Sequence, residues 1–211
     1  MEGSLIKKAK SIFEHSGEFD EDDEVTFTFP NEDNNQLFYS KFILSRCSPV
    51  FKAMFKHDFK EKKDKNVIIE DIKVADFKTF FKWCDPMLSE HLTAENVLQM
   101  VEIAEKYQIE AMIQQCRKIM HHDIVDKTFQ QAKSDRYFAT YHIDDIVKVL
   151  LVATKYNYTE LLKTGEDYLV CFEVQNVLNT EPFEKLPIEL KYRILSKRIC
   201  KVYETVGFKH V

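Results

Sequence analysis

Ser48–Pro49–Val50–Phe51–Lys52–Ala53–Met54–Phe55 and, beyond a charged segment, Asn66–Val67–Ile68–Ile69–Glu70–Asp71 decide how this chain folds. Ser before Pro is a helix start. The hydroxyl can accept from an orphan amide of the first turn, and Pro loses nothing at the first helical position. Val50, Phe51, Met54 and Phe55 follow at helical spacing, with Phe42, Ile43 and Leu44 ahead of the Ser-Pro step. Val67–Ile68–Ile69 reads as a short buried strand. Upstream, Val25, Phe27 and Phe29 alternate with Glu24, Thr26 and Thr28, the period of a half-buried strand. Leu37 and Phe38 suggest a second strand, and Asn31–Glu32–Asp33–Asn34–Asn35 between them is rich in turn formers.

This order of elements, with SPVFKAMF at 48–55 and DFKEKKDKNVIIEDI at 58–72, resembles a BTB (POZ) domain over residues 20–120. The remainder is similar to the region after that domain in nematode BTB and MATH-BTB proteins, although no MATH, kelch or zinc-finger module is found here. The resemblance implies an α+β class and a BTB/POZ fold, a small sheet flanked by a helical cluster, and then an all-α helical-hairpin extension. It implies an N-terminal dimerisation helix over 1–17, the BTB/POZ domain over 18–122, a three-box or BACK-like extension over 123–206 and a tail over 207–211.

Leu5, Ile6, Ala9, Ile12 and Phe13 form an apolar stripe of helical period, with Lys7, Lys8, Lys10 and Glu14 off it and Gly17 placed to end the helix. Such a stripe must be buried, either on its own subunit or on another. In BTB proteins the equivalent helix packs across a two-fold axis, so the resemblance implies a homodimer. It also implies a contact near that interface between an acid opening the first strand and a base opening the next helix. Those positions are Glu24 and Lys41, where the family often has Asp and His-Lys or His-Arg. Two unrelated surface charges are the alternative.

The segment from Lys56 to Asn66 is mostly charged, yet Phe59 stands in its middle. An aromatic in a polar loop is an internal plug or a partner's anchor. BTB proteins that recruit cullin-3 often carry a hydrophobic-x-Glu motif here, and Phe59–Lys60–Glu61 matches it. The resemblance therefore implies a cullin-facing surface of Phe55, Phe59 and Glu61, extended by Lys106 and Tyr107.

Val74, Phe77, Phe80 and Phe81 predict a helix that Pro86 stops. Thr93 opens another, without a full capping box because Asn96 is neither Glu nor Gln. A helix around Glu110–Met120 closes the domain. NVLQMVEIAEKYQIEAMIQQCRKIM from Asn96 then aligns without gaps on DIVKVLLVATKYNYTELLKTGEDYL from Asp145, an internal repeat of two helix–turn–helix hairpins. Ala104 and Ala153 sit where paired helices approach, and Tyr107 and Tyr156 mark the ends of the first helices. The second hairpin resembles the extension that BTB cullin adaptors place beside the cullin. Leu186, Pro187, Ile188 and Leu190, then Tyr192, Ile194, Leu195, Ile199 and Val202, predict a final amphipathic helix with Pro187 at its start.

Composition narrows the function. Of 211 residues, 45% are hydrophobic, with 17 Phe and 9 Tyr, enough for a core. The net charge of −5, with Lys and Glu interspersed, argues against a nucleic-acid groove. No apolar run approaches the ~20 residues of a membrane span, and Met1–Lys10 lacks the apolar core of a signal peptide. The expected location is intracellular, cytoplasm or nucleus. Cys47, Cys84, Cys116, Cys171 and Cys200 are too far apart for a zinc site and read as reduced thiols. The acidic run Glu18–Glu24 has no EF-hand spacing and reads as a solvated linker. His121–His122 is the only histidine pair, and adjacent residues of an α-helix point about 100° apart, so no metal is expected there. Glycines only at 3, 17, 165 and 207 exclude a glycine-rich phosphate loop, and neither G-x-S-x-G nor H-E-x-x-H occurs. The expectation is a non-enzyme without cofactors whose partners are itself, cullin-3 and an unknown substrate protein. It would be a substrate adaptor of a cullin-3 ubiquitin ligase or, alternatively, a self-associating BTB scaffold. A single-subunit, Skp1-like role is a third possibility.

Overall fold

The computed structural model describes residues 13–56, 65–88, 90–134 and 139–206. The chain divides into two compact units, Met1–Leu92 with Gln99–Gln114, and Thr93–Leu98 with Gln115–Val211.

The first unit is built on a three-stranded sheet of order β2-β1-β3. Strands β1 (Glu24–Phe29) and β2 (Asn35–Ser40) pair antiparallel with Phe27 opposite Leu37, and β3 (Asn66–Ile68) runs parallel to β1. The turn between β1 and β2 holds Asp33 and Asn34 at φ 55°, a region these short polar side chains tolerate. Val25, Phe27 and Phe29 face inward, all but sealed from water, as the alternation predicts. Val67 and Ile69 also face inward, whereas Ile68 is exposed, so the third strand buries one face only.

Helices α1 (Lys41–Cys47), α2 (Pro49–Lys56) and α3 (Val74–Cys84) complete this core. The Phe27 ring meets Phe51 of α2 at 5.9 Å and Phe77 and Phe81 of α3 at 5.1 and 5.2 Å between centroids. Mutually tilted aromatic rings of this kind gain about 0.5–1.5 kcal/mol per pair beyond their burial. The Ser-Pro step behaves as read. Ser48 Oγ accepts from Phe51 N at 3.1 Å, and the same hydroxyl donates to the Tyr107 carbonyl at 2.6 Å. Helix α3 is capped from a distance, because Val74 N donates to the Glu32 carboxylate at 2.8 Å.

Helices α4 (Val97–Lys106) and α5 (Glu110–Ile119) form the first hairpin. Helix α4 begins later than Thr93 alone suggests, and Asn96 supplies half of the missing box: its Oδ1 accepts from Thr93 N at 2.9 Å. A π-helical turn (Met120–Asp126) follows directly on α5. The second unit continues with α6 (Lys127–Ser134), α7 (Ala139–Lys155), α8 (Thr159–Leu169), two short helices α9 (Val174–Leu178) and α10 (Glu181–Glu184), and α11 (Ile188–Val206). Its core gathers Ile146, Val147, Leu150, Leu169, Phe183 and Leu190.

The repeat extends to the hydrogen bonds of the turns. Ile109 N reaches Ala104 O at 2.8 Å and Gln108 N reaches Glu105 O at 3.2 Å. Tyr158 N reaches Ala153 O at 2.8 Å and Asn157 N reaches Thr154 O at 3.4 Å. Each hairpin thus ends its first helix in the same Schellman motif, with Gln108 and Asn157 in the left-handed region at φ 53° and 57°. The final helix buries Leu190 and Ile194, while Ile188, Tyr192, Ile199 and Val202 lie exposed on its other side.

Candidate interaction surface

Two surfaces of the first unit carry the residues singled out in the sequence. The first lies where α2 ends. Phe51, buried at the centre of α2, stacks on Tyr107 at 4.2 Å and on Phe55 at 5.9 Å between centroids. Phe55 is half-buried at the rim. One buried ring therefore joins Phe55 to Tyr107. Tyr107 itself is closed off, 3% exposed, and burial pushes its phenol well above the ordinary value, with the Asp71 carboxylate adding to the rise. It supports this surface from beneath and does not present its ring to a partner. Lys106 does reach outward. Its ammonium binds the Asp71 carboxylate at 2.6 Å and lies 5.6 Å from the Tyr107 ring centroid. Phe59 and Glu61 lie outside the described residues.

The second surface lies where β1 and β2 begin and end. In the hairpin register Glu24 faces Ser40. The Glu24 carboxylate accepts from Ser16 Oγ at 2.6 Å and from Gly17 N at 2.7 Å, both of the preceding segment. Among the described residues no ion pair joins it to Lys41. Its neighbour Asp23 serves the helix instead: one carboxylate oxygen accepts from Phe42 N at 2.8 Å and the other from the Ser40 hydroxyl, whose own oxygen accepts from Ile43 N at 3.1 Å. Lys41 enters through its backbone, donating to Asp23 O at 2.7 Å. The Asp23 and Ser40 side chains thus satisfy two orphan amides of α1, and an acid beside them suits the positive end of the helix. Next to this cap Phe42 is 63% exposed, with the Arg46 guanidinium 5.8 Å from its ring centroid.

Leu5, Ile6, Ala9 and Ile12 lie outside the described residues. Phe13 is described, in a turn, and is 3% exposed. Its ring meets Tyr39 at 5.4 Å and Phe81 at 5.5 Å, and its carbonyl accepts from Phe38 N at 2.8 Å. Phe13 therefore belongs to the core of its own unit. Sequence reasoning missed Asp23, hidden in an acidic run, although an antiparallel hairpin with Phe29 opposite Asn35 already places residue 23 beside residue 41. It missed Phe42 as an exposed aromatic because helical spacing alone assigns it to the core.

A family model described as BTB/POZ domain matches residues 17–124, just over half of the 211 residues. The chain belongs to the BTB/POZ family. Such domains are non-enzymatic protein-interaction modules. Two curated relatives extend the comparison. The BTB and MATH domain-containing protein 38 of Caenorhabditis elegans is 31% identical over 85 residues, 40% of this chain and 22% of that protein. Kelch-like protein 6 of Homo sapiens is 24% identical over 172 residues, 79% of this chain and 25% of that protein. The chain thus spans about a quarter of the length of these relatives. A match of 172 residues cannot end at residue 124, so the likeness to the Kelch-like protein runs on into the second unit. No described helix is long and apolar enough to cross a membrane.

Proposed function

We propose that this chain is a non-catalytic substrate adaptor of a cullin-3 RING ubiquitin ligase, acting as a BTB homodimer inside the cell, in cytoplasm or nucleus. The observation that carries the reading is the likeness to a Kelch-like protein across both the BTB domain and the helices that follow it. In BTB cullin adaptors that pairing of domain and helical extension is what meets the cullin. Half-exposed Phe55, backed by Phe51 and Tyr107, gives a firm apolar edge, and four residues further along the sequence comes Phe59–Lys60–Glu61, the segment that matches the recruiting motif. An anchor aromatic on such an edge would fill a pocket on the cullin, and the outward Lys106 and Asp71 would form its polar rim. Exposed Phe42 beside the α1 cap offers apolar surface for a second copy, in keeping with self-association in the family. A substrate protein would bind the helical unit or a partner subunit.

The test is binding of the purified chain to the N-terminal region of cullin-3, with light scattering for mass and Phe59→Ala as the control. A two-to-two complex of micromolar affinity or better, weakened at least tenfold by Phe59→Ala, supports the proposal. A dimer that ignores cullin would leave the self-association scaffold. Binding indifferent to Phe59→Ala would keep the adaptor function and refute the role of the loop.

A further inference from the structure

The second unit contains a cluster that the interaction surfaces do not use. His121 Nδ1 and His122 Nδ1 lie 3.2 and 3.0 Å from the same oxygen, Asp126 Oδ2, and one ligand atom from each of the three residues lies within 4.8 Å of the others. The π-helical turn Met120–Asp126 produces this. In an α-helix, five steps of 100° would put residue 126 about 140° round from residue 121. In a π-turn residues i and i+5 come onto one face. His121, His122 and Asp126 therefore converge although two of them are adjacent in sequence.

We propose that His121, His122 and Asp126 form a binding site for a divalent transition-metal ion of the zinc type. The spacing suits it: bonds of about 2.0–2.1 Å to a tetrahedral ion place neighbouring ligand atoms about 3.3 Å apart. Two imidazoles and one carboxylate favour Zn²⁺, Co²⁺, Ni²⁺ or Cu²⁺ over Ca²⁺ or Mg²⁺. The groups behind the ligands are arranged as such a site needs. The Tyr168 hydroxyl donates to the other carboxylate oxygen, Asp126 Oδ1, at 3.0 Å, and the Tyr168 ring is stacked on Phe129 at 3.9 Å, so Oδ2 is left for the ion. Thr164 Oγ1 lies 3.3 Å from His121 Nε2 and 3.0 Å from the Glu160 carbonyl. With its one hydrogen given to the nearer carbonyl, Thr164 accepts from Nε2–H, and the bare lone pair of a neutral His121 ring is then on Nδ1. A bare Nδ1 facing a carboxylate oxygen needs a cation between them, either a second proton on the ring or a metal ion. Binding the metal uses neutral rings, so it releases whatever Nδ1 protons had bridged to Asp126. His122 is 70% exposed on its side chain, which leaves an open approach and room for water in the remaining positions. The ion would tie the π-turn to α8 through Asp126 and Tyr168.

The experiment uses the full, untagged chain stripped with a chelating resin and titrated with Zn²⁺ and Co²⁺ by calorimetry and absorption spectroscopy. One ion per chain is expected, with weak visible d–d bands of nitrogen and oxygen ligation. At a hundredfold excess over Kd, the metal should raise Tm by about 5–10 °C. His122→Ala, at an exposed position that the fold does not need, and Asp126→Asn should each weaken binding at least tenfold, and Thr164→Val up to about tenfold by freeing the His121 ring. No binding below millimolar metal overturns the proposal. So does binding that His122→Ala leaves unchanged, or intense near-ultraviolet charge transfer, which would place the ion on exposed Cys171 or Cys200 instead.

Discussion

Gly165 lies inside α8 where that helix meets α7, and a Cβ added there would fall 2.7 Å from Leu150 Cδ2 and 3.1 Å from Leu150 Cγ. Two effects oppose each other in Gly165→Ala. Helix propensity favours Ala over Gly by about 1 kcal/mol. Overpacking a filled core costs about 1–3 kcal/mol, and Leu150 is fully buried among Ile146, Val147 and Leu169 with little room to retreat. The net expectation is a loss of up to about 2 kcal/mol. Leu150→Val alone costs about 1 kcal/mol for the lost methylene. It also removes the atom at 2.7 Å, so in that background Gly165→Ala should become stabilising by up to about 1 kcal/mol. The sign of one substitution thus depends on the other, with a coupling of about 1–3 kcal/mol. At the aligned positions the first hairpin carries Val101 and Cys116, a smaller residue paired with a larger one, which is the compensation the cycle imitates. Hydrogen exchange followed by mass spectrometry on peptides from α7 and α8 reads the stability of this unit without interference from the other. Additive effects, or stabilisation by Gly165→Ala in the unaltered chain, would refute the packing argument.

The remaining expectations rest on single features. Gln108→Gly should stabilise by about 1 kcal/mol and Asn157→Gly by less, since Asn tolerates the left-handed region better than Gln; urea midpoints that move equally, or downward, contradict this. Glu166 is buried and bound by Arg193 on both oxygens and by Lys197 at 3.1 Å, whereas both cations are part-exposed. Arg193→Met leaves a buried carboxylate short of partners and should cost about 3 kcal/mol. Glu166→Gln releases cations that water can reach and should cost less; the reverse order in thermal melts would be decisive against the account. Burial holds the Tyr39 and Tyr107 phenols above their ordinary value of 10.0, helped at Tyr39 by the Asp85 carboxylate and at Tyr107 by that of Asp71. Their contribution is complete below pH 10, where both states are protonated, and is lost as pH rises, because the unfolded chain ionises first. The loss is about 1.4 kcal/mol per pH unit for each group. Tyr39→Phe should flatten the fall in urea midpoint between pH 10 and 11, and an unchanged slope rules the idea out.

Features encoded within a few residues were legible. The Ser48 cap, the Pro49 start, the inward Val25, Phe27 and Phe29, and the repeat from Asn96 to Asp145 all depend on neighbours along the chain. What could not be read depends on which of several equivalent groups the folded backbone presents. Glu24 and Asp23 are chemically alike, and only the hairpin register decides that Asp23 caps α1 while Glu24 turns to Ser16 and Gly17. Phe13 fits an amphipathic stripe by period, yet its ring goes to Tyr39 and Phe81, because a shallow sheet core accepts any aromatic that reaches it. Asn96 does half the work of a capping box with a shorter side chain than the motif names.

The histidine pair shows how an assumed backbone can hide a site. Adjacent residues are poor joint ligands from an α-helix, and the spacing from His121 to Asp126 is wrong for that geometry too. Neither objection survives the π-turn, which the helical periodicity on both sides of Met120–Asp126 does not announce. A π-turn amounts to one residue more than the α register allows, and such insertions are often kept for function. Here the extra residue does two things at once. It brings Asp126 under both imidazoles, and it leaves the carboxylate's other oxygen in reach of Tyr168 across on α8. Moving the carboxylate one position along, with Asp126→Ala and Lys127→Asp together, should carry it about 100° round the helix, away from both imidazoles, while keeping the chain length and the helix continuous. Metal affinity and the Tyr168 contact should then vanish together, whereas hairpin stability away from the turn should hold. If the affinity survived the move, the turn would be a packing accommodation and the convergence of the ligands on residue 126 incidental.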